Sequence, residues 1–365
     1  MKILIKRDEI KKAVSSVIGV VDKKQTMPIL GHILLEGNNK TIRLTATNLE
    51  VQISSVAETV DMDSFESIAV SGRKFYEIIR SLDSKEVDLT TSKGQLVIKT
   101  NNSSYKISTL PGNDFPLFDS SNPTETLNIN QEKLLTLFNK THFSMAQQDV
   151  RFYLNGLLLE TEPKRLKAIA TDGHRLAASE MAIEKKQLNT TASIVPRKAI
   201  QELIRLLDNK EDVIAEIDSN SISFTFNDLS FITKLIDGKF PDYNRVIPTN
   251  TEINIQLNSQ ALKPSLQRVS ILANEKFKGI RLETTGKSLE LSSENPEQEE
   301  ANETIPLQEK VKKIVVGFNV SYLIDAVSSC DGNAVCLSLN DENSSALITS
   351  PEDKNTKYVV MPMRL

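Results

Sequence analysis

Apolar residues fall at two alternating periods along this chain. Phe75, Ile78, Ile79 and Leu82 are spaced 0, 3, 4 and 7. Ile200, Leu203, Ile204 and Leu207 repeat that spacing, and so do Leu323, Ala326, Val327 and Cys330. It places each set on one face of an α-helix. Further helices are predicted at DEIKKAVSSVI from Asp8, QEKLLTLFNKT from Gln131 and SQALKPSLQRVS from Ser259. Asp8 and Ser259 are of the type that caps a helix N-terminus, so the first and third are expected to begin there. Pro264 is expected to shorten the third or delay its start, because proline lacks an N–H and clashes with the preceding turn. Between the helices, TIRLTAT, RLKAIAT and SLELSS alternate with period 2, as do EVDLTTSKGQLVIKT, VIAEIDSNSISFTF and AVCLSLNDENSSALIT. With Gly, Asn, Asp and Ser at the breaks, these read as antiparallel strands and hairpins.

The elements recur. Adding 125 carries VSGRKFYEIIRSL (70–82) onto VPRKAIQELIRLL (195–207), Gly31 onto Gly156 and Phe115-Pro116 onto Phe240-Pro241. A fainter third copy follows: adding 123 takes Gly156 to Gly279 and Ile200 to Leu323, and adding 121 takes Pro241 to Pro362. The predicted fold is α+β, three tandem similar domains of about 120 residues, at 1–120, 125–247 and 248–365. Like units laid side by side leave a sheet edge free at each end. Head-to-tail pairing of chains through the first and third units would close a ring or grow a filament.

Composition narrows the function. The chain has 365 residues, 39% apolar and 25% charged, enough to bury a core in each unit. MKILIKRDEI meets charge at once and reads as no signal peptide, and no run approaches the ~20 residues of a membrane span. Cys330 and Cys336, the only cysteines, suit a reducing compartment, and the expected location is the cytoplasm. His32, His142 and His174 show no metal-ligand spacing, so no metal and no cofactor is expected. No G-x-x-x-x-G-K-[ST], G-x-G-x-x-G or G-x-S-x-G occurs: Arg281 stands where Gly286-Lys287-Ser288 would need a glycine. Asp172 and His174 are the one conceivable acid–base pair, and the alternative to a binding protein is an enzyme with a His174/Asp172 cleft. Adjacent residues rarely converge on one substrate, so a turn is the preferred reading and no catalytic residue is assigned.

A net charge of −4 argues against nucleic acid until its distribution is considered. The predicted helix segments 6–12, 73–80, 197–205 and 259–268 each carry +2, and 131–140 carries +1; only 319–328 is negative. Helices at equivalent places in each repeat would share one basic side, with acidic surface elsewhere. Such a lining attracts phosphates without reading sequence. The tail YVVMPMRL is apolar with a single charge. It is either a last core strand or the wall of a groove, and periodicity alone leaves both open.

The chain resembles the bacterial sliding clamp family, the beta subunit of DNA polymerase III, along its full length. The likeness rests on MPILGHILLE (27–36), GRKFYEI (72–78), STLPGNDFP (108–116), FSMAQQDVRFYLNG (143–156), ATDGHRLA (170–177), VPRK (195–198), DGKFPDY (237–243), ILANEKFKG (271–279), ENPEQEEA (294–301), GFNVSYL (317–323) and the tail. It implies a DNA clamp fold: a head-to-tail homodimer closed into a ring, helices inside and sheets outside, around duplex DNA, without catalysis. It implies polymerase processivity, with the DNA polymerase III catalytic subunit, the clamp-loader complex, other polymerases and repair proteins docking through short apolar peptides. By resemblance the peptide groove comprises Arg151, Leu154, Thr171, Gly173, His174, Arg175, Leu176, Pro241, Arg245, Val246, Phe277, Asn319, Tyr322, Val359, Val360, Met361, Pro362, Met363, Arg364 and Leu365. Methionines suit such a surface because they adapt to several partners. By resemblance Lys24, Arg73, Gln148, Tyr153, Arg197 and Lys198 meet duplex DNA. By the same resemblance the dimer interface would set Lys74, Tyr105 and Ile107 against Ile271, Leu272, Glu297, Glu299, Glu300 and Glu303. The chain departs from the family pattern with Phe152 for a tyrosine, Lys24 for an arginine, Asn343 for an apolar groove residue, and a helix at 319–328 that is not basic.

Overall fold

A computed structural model describes residues 2–21, 27–63, 66–119, 122–184, 189–208 and 211–364. The chain forms two compact units, Met1–Glu132 with Gln201–Leu235, and Lys133–Ile200 with Ile236–Leu365. Among the described residues lie six α-helices: α1 (Arg7–Val17), α2 (Gly72–Ser81), α3 (Gln131–Asn139), α4 (Arg197–Leu206), α5 (Ser259–Val269) and α6 (Val320–Ser329). Each predicted helix is present, and each hairpin run forms its strands.

The apolar faces behave as their spacing requires. Phe75 and Ile79 of α2, Ile200 and Leu203 of α4, and Leu323, Ala326 and Val327 of α6 are buried. Three details differ from expectation. α1 begins at Arg7, directly after the strand Lys2–Lys6, so Asp8 lies in its first turn instead of capping it. Its position still suits the helix dipole. α5 is capped by Asn258, whose side chain accepts from the Gln260 N–H, and Ser259 is already helical. Pro264 neither shortens nor delays α5, which runs through it for eleven residues. Burial of Leu262, Leu266 and Val269 outweighs the one hydrogen bond that proline forfeits.

In the first unit a thirteen-stranded antiparallel sheet runs from Glu125–Asn130 to Asp61–Met62. Its seam is the pairing of Leu229–Lys234 with Val51–Glu58, from Leu229 opposite Ser55 to Thr233 opposite Val51. This seam joins a strand of the second repeat to one of the first, which is why the compact units do not follow the repeat. In the second unit an eight-stranded sheet has the matching seam: Arg175–Ala182 pairs with Asp353–Val360, from Arg175 opposite Val360 to Ser179 opposite Thr356. A four-stranded sheet completes that unit and ends on Glu300–Pro306. Adding about 124 carries the first seam onto the second, strand by strand.

Candidate functional site

The tail is both strand and wall. Tyr358, Val359 and Val360 end the strand and are buried, and Met361 beyond them is exposed. The chain is then held at two points: the Met361 N–H donates to the His174 carbonyl and the Met363 N–H to the Gly317 carbonyl, both at 2.9 Å. Opposite the tail is the turn within ATDGHRLA. Asp172 Oδ1 accepts the backbone N–H groups of His174 and Arg175 at 2.9 and 3.0 Å, and the Thr171 hydroxyl donates to the Arg175 carbonyl. Gly173 sits at φ +89°, a left-handed conformation that glycine takes without strain. A Cβ there would meet the Arg151 guanidinium at 2.9 Å.

Between turn and tail lies a cavity of about 200 Å³. Of the predicted groove residues, Arg151, Leu154, Thr171, Gly173, Arg175, Leu176, Pro241, Val246, Val359 and Met361 line it. Leu176 and Val359 in its floor belong to an apolar cluster with Leu158, Ile169, Ile194 and Phe240. Tyr153, Asp242 and Tyr243 also line it, although none was expected there. Tyr153, assigned to DNA by resemblance, packs against that cluster. Tyr243 closes the DGKFPDY motif, so its signal was in the sequence. Its hydroxyl donates to Glu160 at 2.8 Å, and burial followed by that carboxylate raises its pKa.

Two arginines set the groove's shape. Arg151 lies flat on Asp149 through Nε and Nη2 at 3.0 and 2.8 Å, and Nη2 also donates to the Asp172 carbonyl. The side-chain and backbone hydrogen bonds from Arg151 hold the Asp149 carboxyl down at about 2. Arg175 is 13% exposed. Its guanidinium donates to Asp172 at 3.1 Å, to Asp325 of α6 at 2.6 Å and to the Phe143 carbonyl at 2.5 Å, and it lies 4.5 Å from the Tyr322 ring centroid. Tyr322 is therefore the support beneath Arg175. The Asp172 oxygens accept the backbone N–H groups of His174 and Arg175 and the Arg175 guanidinium, which is the bonding of a turn.

The other predicted groove residues are placed elsewhere. Phe277, Met363 and Arg364 line a separate depression of about 740 Å³ with Asn274, Arg281 and Asn302. Asn319 caps α6 and donates to the Phe277 carbonyl. His174 is exposed, Arg245 is paired with Asp242 at 2.9 Å, Pro362 is half-buried and Val360 faces the core. Leu365 lies outside the described residues.

Lys24, expected at DNA, also lies outside the described residues. Arg73 is exposed in the first turn of α2, and Gln148 is exposed with φ +57°. Lys198 is half-buried in the first turn of α4. Arg197 donates to the Met145 carbonyl at 2.7 Å, and burial, then the neighbouring Arg175 charge, lower its pKa. At the expected interface, Tyr105 is exposed and Ile107 buried on the strand Ser104–Pro111, and Lys74 is exposed on α2. Ile271 is 76% exposed, Leu272 is half-buried, and Glu297 and Glu300 are exposed. Glu299 accepts from Asn295, and Glu303 is held by Arg268 at 2.7 Å.

Like α+β modules joined through equivalent sheet seams, with a groove between a turn and a returning tail, define the DNA-clamp class. Three family models match in order: the N-terminal domain of DNA polymerase III beta subunit at residues 1–119, its central domain at 128–242 and its C-terminal domain at 244–364. The chain belongs to the DNA polymerase III beta subunit family. It is 40% identical to the beta sliding clamp of Pseudomonas putida over 367 residues, the whole of both chains. The crystal structure of the Pseudomonas aeruginosa beta subunit matches with a TM-score of 0.97 at 38% identity over all of both chains. A Pseudomonas aeruginosa clamp bound to griselimycin matches at 0.96 and 39%, again over both whole chains.

Proposed function

We propose that this protein is a processivity clamp whose copies pair head to tail into a two-chain ring around duplex DNA. One observation carries the reading. The seam that pairs 51–58 with 229–234 recurs as 175–182 with 353–360. The next strand in the first series is Glu300–Pro306, an edge of the four-stranded sheet. The strand before the second series is Ser104–Pro111. It pairs with Gln95–Lys99 through 104–108 and with Ile68–Ser71 only through 109–111. Among the described residues, 104–108 and 300–306 each keep one unpaired edge, and these edges are the two halves of one further seam. Exposed Ile271 beside that edge supports the same pairing.

The repeat supports modules at 1–120, 125–247 and 248–365. Arg73, Gln148, Arg197, Lys198, Lys24 and Tyr153 are the proposed DNA contacts; Tyr153 and Arg197 would reach DNA only by leaving the protein partners described above. Contacts to phosphates are sequence-independent and compatible with sliding. The groove takes apolar peptides from the polymerase catalytic subunit, the clamp loader and other polymerases. Tethering raises their effective concentration at the primer end, and the clamp itself catalyses nothing. It works in the cytoplasm.

The test is topological. The protein is loaded onto nicked circular DNA, and the circle is then cut once. Loss from the linear product is expected, and retention on DNA with free ends refutes encirclement.

A further inference from the structure

A second depression, of about 240 Å³, adjoins the groove on the exposed face of Arg165–Thr171, Arg175–Ala182 and Asp353–Val360. Tyr243 lines both. Its ring therefore stands between them, fixed by the bond to Glu160 and by packing against the cluster that holds Leu176 and Val359. The depression carries Arg165, Lys167, Lys354 and Lys357 against one carboxylate, Glu180.

These cations differ in what they already hold. Arg165 is paired with Glu180 at 3.0 Å, and Lys167 with Glu162 at 2.5 Å and more loosely with Glu160 at 3.9 Å. Lys354 and Lys357 are exposed on the tail strand, and neither forms an ion pair among the described residues. Two uncompensated charges thus stand one aromatic ring away from an apolar groove. A complementary ligand has apolar anchors followed by carboxylates. Nucleic acid is the poorer fit. Single strands need free aromatic faces for stacking, and the one ring here is packed and hydrogen-bonded.

We propose that this shelf binds the carboxylates of an acidic stretch flanking the apolar peptide that the groove takes. The inference rests on the groove reading above, and the experiment separates the two. One apolar peptide is made with three glutamates or three glutamines appended, at either end. Each is titrated against the full-length protein and its K354E/K357E variant at low salt. One Glu-tailed peptide is expected to bind about fivefold more tightly than its Gln-tailed twin, the yield of two exposed ion pairs. The gain should fade with added salt and vanish in K354E/K357E, while Gln-tailed peptides bind both proteins alike. Equal binding of Glu and Gln tails at both ends overturns the proposal, as does a gain that survives in the variant. Gln-tailed peptides that fail to bind at all bring down the groove reading, and this proposal with it. A single-stranded oligonucleotide held by the parent protein and lost by K354E/K357E reassigns the shelf to nucleic acid and equally overturns it.

Discussion

Arg175→Ala is the sharpest perturbation of the site. The guanidinium joins the groove turn through Asp172, the segment before the groove through the Phe143 carbonyl, and α6 through Asp325 and the Tyr322 ring. Bonds to charged groups are worth roughly 1.5–3 kcal/mol each and the ring contact about 0.5–2. They share one side chain and do not add, and Asp325 is partly solvated. A net loss of about 3 kcal/mol is the reasoned figure, near the usual cost of removing one member of a buried charge network. That corresponds to about a 100-fold rise in local opening. Hydrogen exchange followed by mass spectrometry reads this directly in segments 142–146, 171–176 and 320–329 of the full chain. All three should speed up together, and 41–58 in the other unit should not. Arg175→Lys should recover less than half of the protection, because an ammonium lacks the planar fork that reaches several acceptors. Exchange unchanged in α6, or faster in the turn alone, would refute the claim that one side chain ties these elements.

Further outcomes can be checked. Lys140 is 12% exposed and donates to Asp331 at 2.5 Å and to Asp353 at 2.6 Å, the latter carboxylate being 11% exposed. Burial alone would lower the Lys140 pKa, but the two carboxylates outweigh it and raise it. Lys140→Met should therefore destabilise the second unit by about 2–3 kcal/mol, because it strands Asp353, and denaturant melts that do not move would contradict this. Asp149→Asn frees Arg151 and should weaken apolar-peptide binding about threefold at neutral pH. The folded Asp149 value, about 2, lies below the ordinary 3.8, so its contribution is present above that ordinary value and is lost only as pH falls towards 2. The ratio of variant to parent affinity should stay constant from pH 8 to about 5, and a ratio drifting to one in that window refutes the assignment. Ile271→Asp should halve the sedimenting mass at micromolar concentration by placing charge in the proposed seam, and an unchanged mass would move the interface elsewhere.

Helices and hairpins were legible because each depends on local period: Phe75, Ile78, Ile79 and Leu82 announce α2 without reference to anything distant. Helix starts were less so. Asp8 has the right chemistry for a cap, but the strand Lys2–Lys6 runs straight into α1 and leaves no residue outside the helix at that position. The groove's turn was legible as a motif, since Thr171, Asp172 and Gly173 bond within a few residues. The direction of each long side chain was not. Arg175 and Arg197 look alike in sequence, yet each has been drawn to a carbonyl of the 143–145 segment, which only the tertiary structure brings near.

The repeat carries the argument furthest, because it constrains what a single chain leaves undone. A module that pairs its edge strand with the next module's edge strand does so twice here, both times antiparallel and through strands that the repeat makes equivalent. The same chemistry must then exist at 300–306 and at 104–108, since each is the counterpart of a strand that is paired elsewhere. Backbone edges of this kind seldom stay bare in a stable protein. In the proposed assembly the step between chains would repeat the step between successive modules within a chain. A heterologous contact of that kind closes into a ring when its rotation divides a full turn and otherwise propagates. The helices recur at one place in each repeat, two to a module. The shift of 125 carries Arg73 on α2 onto Lys198 on α4, so the repeat keeps a cation at the same place in the first turn of both helices. The recurring cation and the bare edges are two consequences of one duplicated module.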